Sequence, residues 1–169
     1  DRFYTQTEFD ISRLLDSGKN LMELGRSCIM PEFRTGSAIN LLWQGIAAYT
    51  YMYNIDYLFG CASFAGVEAS NFSNALSYLM NYRKAPEEIL PVALASKKAN
   101  FELIPQEKLD KKQAFASLPP LIKGYVRVGA FVGEGAIIDE VCQTTDVCII
   151  VDKTKVEKRY FTKFMESKE

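Results

Sequence analysis

The pattern of hydrophobic and polar positions predicts a strand, a helix and a second strand between residues 21 and 64. Residues 21–30 are expected to form a strand that Pro31 ends, because proline donates no ladder hydrogen bond. In residues 37–53 apolar positions recur every three or four residues, which predicts a helix capped by Ser37 or Thr35. Its predicted buried face comprises Ala38, Leu41, Leu42, Ile46, Tyr49 and Tyr53, and a second, mostly apolar face comprises Ile39, Trp43, Ala47 and Thr50.

Residues 56–64 are apolar on both faces, as in a central or parallel strand. A helix between two parallel strands is a crossover unit. Further along, residues 68–83 are predicted to form a helix, residues 123–132 a strand, residues 145–151 a buried strand, and a capping box at Thr154 and Glu157 begins a last helix. Residues 1–19 are expected to be irregular and to dock through Phe3, Tyr4, Phe9 and Ile11.

Residues 84–120 give the weakest pattern of the chain. Prolines at 86, 91, 105, 119 and 120 interrupt regular structure, and only a short helix at 106–117 is predicted. A connection of this length is either a lid or binding loop or a surface excursion. With 169 residues, of which 48% are hydrophobic and 24% charged, we expect one globular domain over residues 1–169.

Charge and residue usage exclude several functions. The net charge of −1 argues against a general nucleic-acid partner, although lysines at 97–98 and 108–112 form local basic clusters. The chain has no histidine, which removes Ser-His-Asp and Cys-His catalysis. Its four cysteines lack CxxC spacing, so no metal site is predicted, and no stretch approaches the roughly 20 apolar residues of a membrane span. A reducing, cytoplasmic location is the simplest expectation.

Glu23 is the first candidate for acid–base chemistry. It interrupts a run that otherwise favours burial, and a desolvated carboxylate can take a proton from an ammonium nucleophile. The alternatives are an ion pair with Arg26 or Arg34, or an outward-facing side chain. The positive turn from Arg34 to Ala38, with Gly36 and Ser37 between them, is a candidate anion site at a helix N-terminus, or a plain helix cap.

Polar residues near the C-terminal strands form a second candidate group. Asp139 and Asp146 could bind the amino acid part of an acceptor, or could belong to turns. Arg127 would share one strand face with Lys123 and Tyr125 and could hold a carboxylate with two hydrogen bonds.

Three segments, taken in order, resemble the ornithine N-acyltransferase family. They are ELGRSCIMPEFRTGSAINLLWQGIAAY, YLFGCASF and LPPLIKGYVRVGAFVGEGAIIDEVCQTTDVCIIV. This group of the GNAT superfamily is also described as hemolysin-like, or as acyl-carrier-protein-dependent acyltransferases. The run ELGRSCIMPEFR resembles the autoinducer synthases as well. The match covers most of residues 20–165, and the order of the segments makes it specific.

The resemblance implies a GNAT-like mixed α/β sheet whose strands at 21–30 and 55–64 splay apart to admit an acyl-phosphopantetheine arm. It implies transfer of a (3-hydroxy)acyl chain from acyl carrier protein to an amine, with ornithine as the first expected acceptor and a lyso-ornithine lipid as product. The acyl-phosphopantetheine is a co-substrate rather than a permanently bound cofactor. Acyl carrier protein and a small amine are the implied partners.

The resemblance also implies roles for individual residues. Glu23 becomes the acid–base or amine-orienting residue, and Arg26 its partner or a carrier contact. The phosphate turn is formed by Arg34, Gly36, Ser37 and Ala38, and the thioester is held through the backbone of Gly60, Cys61, Ala62 and Ser63. Arg127, Asp139 and Asp146 are implied on the acceptor side.

Two departures from the family pattern matter. Phe33 stands where the GNAT pyrophosphate motif has Gln or Arg, which favours acyl carrier protein over coenzyme A as donor. The resemblance also implies N-terminal strands that the sequence from Asp1 onward does not show, as expected either of a fragment or of a reduced member of the family. Two alternatives stay open: an autoinducer-synthase-like enzyme, and a non-catalytic module that binds acyl carrier protein. The lipid product places the inner face of the membrane among the expected locations, with a peripheral contact.

Overall fold

The computed structural model describes residues 2–34 and 36–156. Its strands are β1 (Phe9–Asp10), β2 (Leu21–Glu23), β3 (Tyr57–Ala65), β4 (Val92–Ala93), β5 (Phe131–Val132), β6 (Ile137–Asp139) and β7 (Thr144–Asp152). Its α-helices are α1 (Ser12–Leu15), α2 (Gly36–Met52), α3 (Ser73–Tyr82), α4 (Lys111–Ala116) and α5 (Pro120–Arg127). Short 3-10 helices lie at Tyr4–Thr7, Pro31–Phe33, Ala69–Phe72, Glu87–Ile89, Gln106–Lys108 and Lys153–Lys155.

A mixed sheet organises the described part of the chain. Its strand order is β2-β3-β7-β5, and β6 also pairs with β7. Strand β2 runs parallel to β3, as the predicted crossover through α2 requires, and β3 runs antiparallel to β7 along its whole length. The predicted α/β fold class with a mixed sheet is confirmed, and this architecture is consistent with a GNAT-like fold.

The sheet has a hydrophobic core on each face. One core lies beneath α3, α4 and α5 and includes Leu76, Ile122 and Val147. The other lies beneath the N-terminal segment and includes Phe9 and Ile11, which are 0% and 1% exposed. The N-terminal residues therefore dock on the sheet as expected, and they carry more regular structure than the sequence predicts.

The predicted strand at 123–132 is wrong, since most of this segment is helix α5. Pro120 occupies the first turn of that helix, where its missing N–H costs nothing. Ile122 and Val126, four residues apart, bury one helical face. Only Phe131 and Val132 form a strand. Lys123, Tyr125 and Arg127 therefore do not share a strand face. The prediction that Arg127 holds a carboxylate from such a face has no structural support.

Strand β2 is shorter than predicted, because the chain turns away from the sheet after Leu24. Arg26 has a φ of 49°, in the left-handed region that interrupts an extended chain. At the same place, the carbonyl oxygen of Leu24 lies so close to Gly60 that a Cβ built on Gly60 would overlap it. Residues 25–30 thus leave the sheet instead of extending the strand.

Helix α2 matches its predicted range, but the face predicted to be buried is exposed. Leu41, Leu42 and Tyr49 are 65%, 40% and 50% exposed, whereas Ala47 and Thr50 are buried. Because both faces of this helix are apolar, periodicity alone could not decide which one packs on the protein. The consequence is an uncovered apolar surface beside strand β2.

Residues 84–120 are packed into the protein rather than forming a loose surface excursion. Strand β4 pairs with β1, and Ile89, Leu90, Leu109 and Leu118 are buried. A lid function for this segment stays a prediction. The predicted C-terminal helix lies mostly on residues 157–169, outside the described ranges, and the Asp152 side chain caps the short 3-10 helix that begins at Lys153. None of the described helices is both long and apolar enough to cross a membrane.

Candidate active site

A cleft of about 570 Å³ lies where strand β2 separates from β3. Residue pairing between these strands ends at Glu23 and Phe59, and the last hydrogen bond joins the N–H of Leu24 to the carbonyl of Phe59 at 2.7 Å. Strand β3 continues to Ala65, so beyond Phe59 one of its edges faces no described strand. The cleft is lined by Tyr4, Glu23, Leu24, Gly25, Arg26, Cys61, Ser63, Asp139, Cys142 and Asp146.

Glu23 is anchored by the N-terminal segment. Its Oε2 accepts a hydrogen bond from the backbone N–H of Tyr4 at 2.9 Å. Its Oε1 accepts two, from the backbone N–H of Thr5 at 2.6 Å and from the Thr5 hydroxyl at 2.5 Å. The carboxylate therefore caps the 3-10 helix at Tyr4–Thr7, whose first N–H groups have no partner within the helix.

Arg26 lines the same cleft without pairing with Glu23. Its guanidinium lies 5.8 Å from the centre of the Tyr4 ring, within cation–π range. No ion pair joins Glu23 to Arg26 or to Arg34 in the described ranges. Arg26 is therefore not the charge partner of Glu23, which takes its hydrogen bonds from residues 4 and 5 instead, and its alternative role as a carrier contact stays a prediction.

Glu8, Asp139 and Asp146 form a group of three carboxylates, here called the acidic triad. One carboxylate oxygen from each lies within 4.8 Å of the others. Asp139 and Asp146 come from the adjacent strands β6 and β7, and Glu8 follows the 3-10 helix at Tyr4–Thr7. Glu8 is 1% exposed, and its Oε1 accepts a hydrogen bond from the Tyr4 hydroxyl at 2.8 Å.

The members of the acidic triad have different electrostatic surroundings. Burial raises the pKa of Asp146, and the nearby hydroxyls of Ser63 and Thr144 offset part of this effect. The backbone N–H of Cys142, followed by that of Val141, lowers the pKa of Asp139. The Tyr4 pKa is raised, first by its hydrogen bond to Glu8, so this phenol keeps its proton.

Strand β3 presents two of its four predicted thioester-contact residues to the cleft. Cys61 and Ser63 lie on the cleft face, and Ser63 pairs directly with Asp146 across to β7. Gly60 and Ala62 alternate to the other face, where they line a small void with Tyr125. Burial strongly raises the pKa of the Cys61 thiol, which makes it a poor nucleophile.

The predicted phosphate turn lies apart from the residues that line this cleft. Helix α2 begins at Gly36, and Arg34 just before it is exposed and donates from Nε to the carbonyl of Ile29 at 3.0 Å. Ala38 lines a separate apolar groove. Thr35 and the side chain of Ser37 lie outside what the structure describes.

That apolar groove, of about 660 Å³, runs between strand β2, the loop after it and the exposed face of α2. Leu24 is common to the groove and to the cleft. The groove lining is mostly apolar, and its polar side-chain groups are the Cys28 thiol and the Tyr49 hydroxyl; it comprises Met22, Leu24, Cys28, Ile29, Met30, Phe33, Ala38, Leu41, Leu42, Gly45, Ile46 and Tyr49.

Arg127 lies outside the cleft, at the end of helix α5. Its guanidinium is exposed and 5.9 Å from the centre of the Phe115 ring. The structure therefore brings together Glu23, Arg26, Cys61, Ser63, Asp139 and Asp146 among the predicted site residues, and it separates Arg127 from them.

Sequence reasoning missed Glu8, and it expected Tyr4 only to dock on the protein rather than to line the site. Both stand in the segment expected to be irregular, where no periodicity marked them. The available signal was Glu8 directly before the apolar Phe9, since a carboxylate within a docking segment requires a polar partner.

Comparison with known proteins confirms the predicted resemblance. A family model described as an acetyltransferase (GNAT) domain matches residues 1–44. The chain is 45% identical over 160 residues to an L-ornithine N(alpha)-acyltransferase of Rhizobium meliloti, a match that covers 94% of this chain and 54% of that protein. It is 43% identical to proteins of the same name from Agrobacterium fabrum and Brucella abortus, over 95% of this chain and 55% and 58% of theirs.

The chain thus spans little more than half the length of the curated relatives it matches. No solved structure matches it significantly.

Proposed function

We propose that this chain carries the acyl-transfer site of an ornithine N-acyltransferase. In this proposal the whole protein moves a (3-hydroxy)acyl chain from an acyl-carrier-protein thioester to the amine of ornithine, giving a lyso-ornithine lipid. Similarity to L-ornithine N(alpha)-acyltransferases along 94–95% of the chain supports the reaction class. The observation that carries the proposal is the open edge of β3 beside a cleft lined by the carboxylates of Glu23, Asp139 and Asp146, with the buried carboxylate of Glu8 next to the two aspartates.

The open edge of β3 suits a phosphopantetheine arm. Phe59 directs its carbonyl toward β2, and backbone groups of every second residue point to the same edge, so Cys61 and Ser63 direct theirs toward the place that β2 has left. An amide-containing arm can pair with these groups as a short strand would. Backbone N–H groups of β3 at this edge would then stabilise the oxyanion of the reacting thioester.

The donor's phosphate and acyl chain require separate sites. We assign the phosphate to the turn that begins at Arg34 and leads into α2, with Gly36, Ser37 and Ala38, as the family resemblance implies. We assign the acyl chain to the apolar groove, because Leu24 connects it with the cleft and its lining is almost entirely apolar. A buried methylene group contributes about 0.8 kcal/mol, so a long chain gains substantial affinity there.

Glu23 holds the acceptor side of the cleft in place. Both its oxygens already accept hydrogen bonds, so accepting a proton from the amine would compete with the contacts to Tyr4 and Thr5. Of the two roles implied by the resemblance, we therefore favour orientation over proton abstraction. Glu23 is then a positioning residue for the N-terminal segment that carries Tyr4 and Glu8.

The exposed lysines at 97–98 and 108–112 fit an acidic carrier protein as donor. Their charge is attractive toward acyl carrier protein, whereas free acyl-CoA has no such protein surface to contact. Reversing the charge of Lys108 and Lys112 is expected to weaken carrier binding and to reduce its salt dependence. Unchanged affinity would remove this surface from the proposal.

Mass spectrometry of lipid extracts tests the reaction. Cells that express the complete protein are expected to accumulate a new acylated ornithine, whose mass also gives the chain length. Absence of any new acylated amino acid, with folded protein and acyl carrier present, would reject transferase activity and leave the non-catalytic carrier-binding module. An acylated homoserine lactone would instead support the autoinducer-synthase alternative.

A further inference from the structure

The acidic triad brings together three carboxylates, two of them buried, and none of them is ion-paired with a described residue. Glu8 and Asp146 are 1% and 5% exposed, and Glu8 Oε2 and Asp146 Oδ1 accept no hydrogen bond. No lysine or arginine of the described ranges forms an ion pair with Glu8, Asp139 or Asp146. Burying carboxylates close together is costly unless a proton or a cation joins them.

We propose that the acidic triad binds the side-chain ammonium of a dibasic amino acid acceptor and selects it over neutral amino acids. This inference rests on the proposed function, since it concerns the acceptor of that reaction. It adds Glu8 as a specificity-determining residue, which neither the sequence pattern nor the family resemblance indicates.

The number of donors on the ligand fits the oxygens that are free. A primary ammonium has three N–H donors and no acceptor. Glu8 Oε2 and Asp146 Oδ1 accept no hydrogen bond, and the carboxylate of Asp139, whose Oδ1 accepts from the N–H groups of Val141 and Cys142, is the third acceptor group. Divalent metals such as Ca²⁺ and Mg²⁺ require six or more ligands, so three carboxylates with some oxygens already engaged satisfy them less well.

The chemistry of the reaction decides which ammonium group binds here. The nucleophilic amine must lose its proton before it attacks the thioester, and neighbouring carboxylates oppose that loss by stabilising the charged form. The side-chain ammonium keeps its charge throughout the reaction, so it is the group that benefits from the acidic triad.

The position of the acidic triad agrees with this assignment. Asp146 is the direct cross-strand partner of Ser63, on the edge where we place the thioester. Glu8 reaches the same place through the segment that Glu23 caps, and Tyr4 fixes its other oxygen. A substrate held by its side chain at the triad can thus extend its α-amine toward β3.

The test compares L-ornithine with L-norvaline, which has the same carbon skeleton without the terminal amine. Binding to the complete protein is measured by calorimetry, and acyl transfer to each amino acid is measured separately as kcat/KM. We expect the wild type to prefer ornithine by at least about 100-fold, as sites built to bond a polar group do. Glu8→Gln and Asp146→Asn should each reduce that preference at least tenfold and leave norvaline unaffected. Glu140→Gln, which removes an exposed carboxylate beside Asp139, should keep it.

The possible results separate this inference from the proposed function. An unchanged ornithine preference in both folded variants overturns the triad's role, even when acyl-ornithine is made. Ornithine binding that is lost in both variants supports the triad even when no acyl transfer occurs, in which case the proposed reaction alone fails. Stoichiometric Mn²⁺ or Mg²⁺ binding that disappears in Glu8→Gln, with ornithine preference intact, overturns the inference in favour of a metal site.

Discussion

Glu23 and Thr5 are joined by two hydrogen bonds to the same carboxylate oxygen, one from the backbone N–H and one from the hydroxyl of Thr5. Thr5 is fully buried, and it precedes Glu8 by three residues. The contact therefore links strand β2 to the segment that supplies one member of the acidic triad. We therefore expect a mutation at Glu23 to disturb the N-terminal segment as well as the proposed acceptor site.

Glu23→Gln should lower both thermal stability and turnover, because its amide nitrogen would face an N–H donor of Tyr4 or Thr5. We expect a loss of about 1–3 kcal/mol in unfolding free energy where the buried Thr5 N–H is left unsatisfied, and less where it is the exposed N–H of Tyr4. Thr5→Val is the matched variant, since it keeps the shape and removes only the hydroxyl. Chemical denaturation and steady-state kinetics on both variants decide the role of Glu23. If Glu23→Gln abolishes turnover at wild-type stability, it is a proton acceptor and not a positioning residue.

Gly45→Leu should shorten the longest acyl chain transferred. Gly45 lines the apolar groove, and a Cβ placed there meets no atom within 4 Å, so a leucine enters the groove without disturbing the fold. The helix itself should gain a few tenths of a kcal/mol or more, because glycine is a poor helix former. The acyl-length distribution of the lipid product, read by mass spectrometry, is the measurement. As a control, Ala48→Leu adds the same side chain to an exposed α2 position outside the groove lining and should leave that distribution unchanged. If both variants give the same distribution of acyl lengths, the acyl chain binds elsewhere.

Asp146 and Asp139 should affect stability with opposite dependence on pH. Folding raises the pKa of Asp146, so the folded state holds the proton more tightly than the unfolded chain. Its contribution to stability is therefore present below the unfolded pKa of about 3.9 and is lost as pH rises through the folded value. Asp146→Asn should gain stability relative to wild type over that window, by about 1.4 kcal/mol for each tenfold difference in proton affinity.

Asp139 provides the contrast, because its folded pKa is lowered. Its contribution is present above the unfolded pKa and is lost as pH falls through the folded value, so Asp139→Asn should be most destabilising near neutrality. Urea unfolding of wild type and both variants across a pH series is the measurement. If the unfolding free energies of Asp146→Asn and Asp139→Asn change with pH in the same way, the two carboxylates do not have the opposite pKa shifts described above.

Gly60→Ala should weaken the junction between β2 and β3. The added methyl overlaps the carbonyl oxygen of Leu24, a backbone atom that can move only by displacing the strand. Overpacking of this kind costs about 1–3 kcal/mol. Gly124→Ala in helix α5 meets nothing within 4 Å and should stabilise the protein by roughly 0.5–1 kcal/mol. The midpoint of thermal unfolding should fall in Gly60→Ala and rise in Gly124→Ala. If Gly60→Ala is as stable as the wild type, β2 and β3 can separate at this point without cost.

The sequence predicted those elements whose burial pattern is unambiguous. Strand β3 and strand β7 are apolar on both faces and lie within about one residue of their predicted ranges, and the crossover through α2 follows from them. Helix α5 was mistaken for a strand because the alternation of Lys123, Tyr125 and Arg127 coincides with a helical pair, Ile122 and Val126. The proline at the start of the helix was the better signal.

The candidate site was predictable only where a residue stands on a well-predicted strand. Cys61, Ser63 and Asp146 meet because the register of β3 and β7 aligns them. Glu8 could not be predicted from the sequence, since its position depends on a tertiary contact between the N-terminal segment and Glu23. The sequence also could not predict which face of α2 is exposed, because both faces are apolar and either could pack on the sheet.

The pairing of Ser63 with Asp146 brings together two strands that are far apart along the chain. Closing such a long loop is slow and entropically costly, so the β3–β7 ladder is expected to form late in folding. A nascent chain that has emerged from the ribosome only as far as helix α4 would already contain Glu23 and the residues of β3, yet it would lack two of the three carboxylates of the acidic triad. If the acidic triad selects the acceptor as proposed, this selection would arise only once synthesis has passed β7. A truncated translation product would then be unable to distinguish a dibasic amino acid from a neutral one.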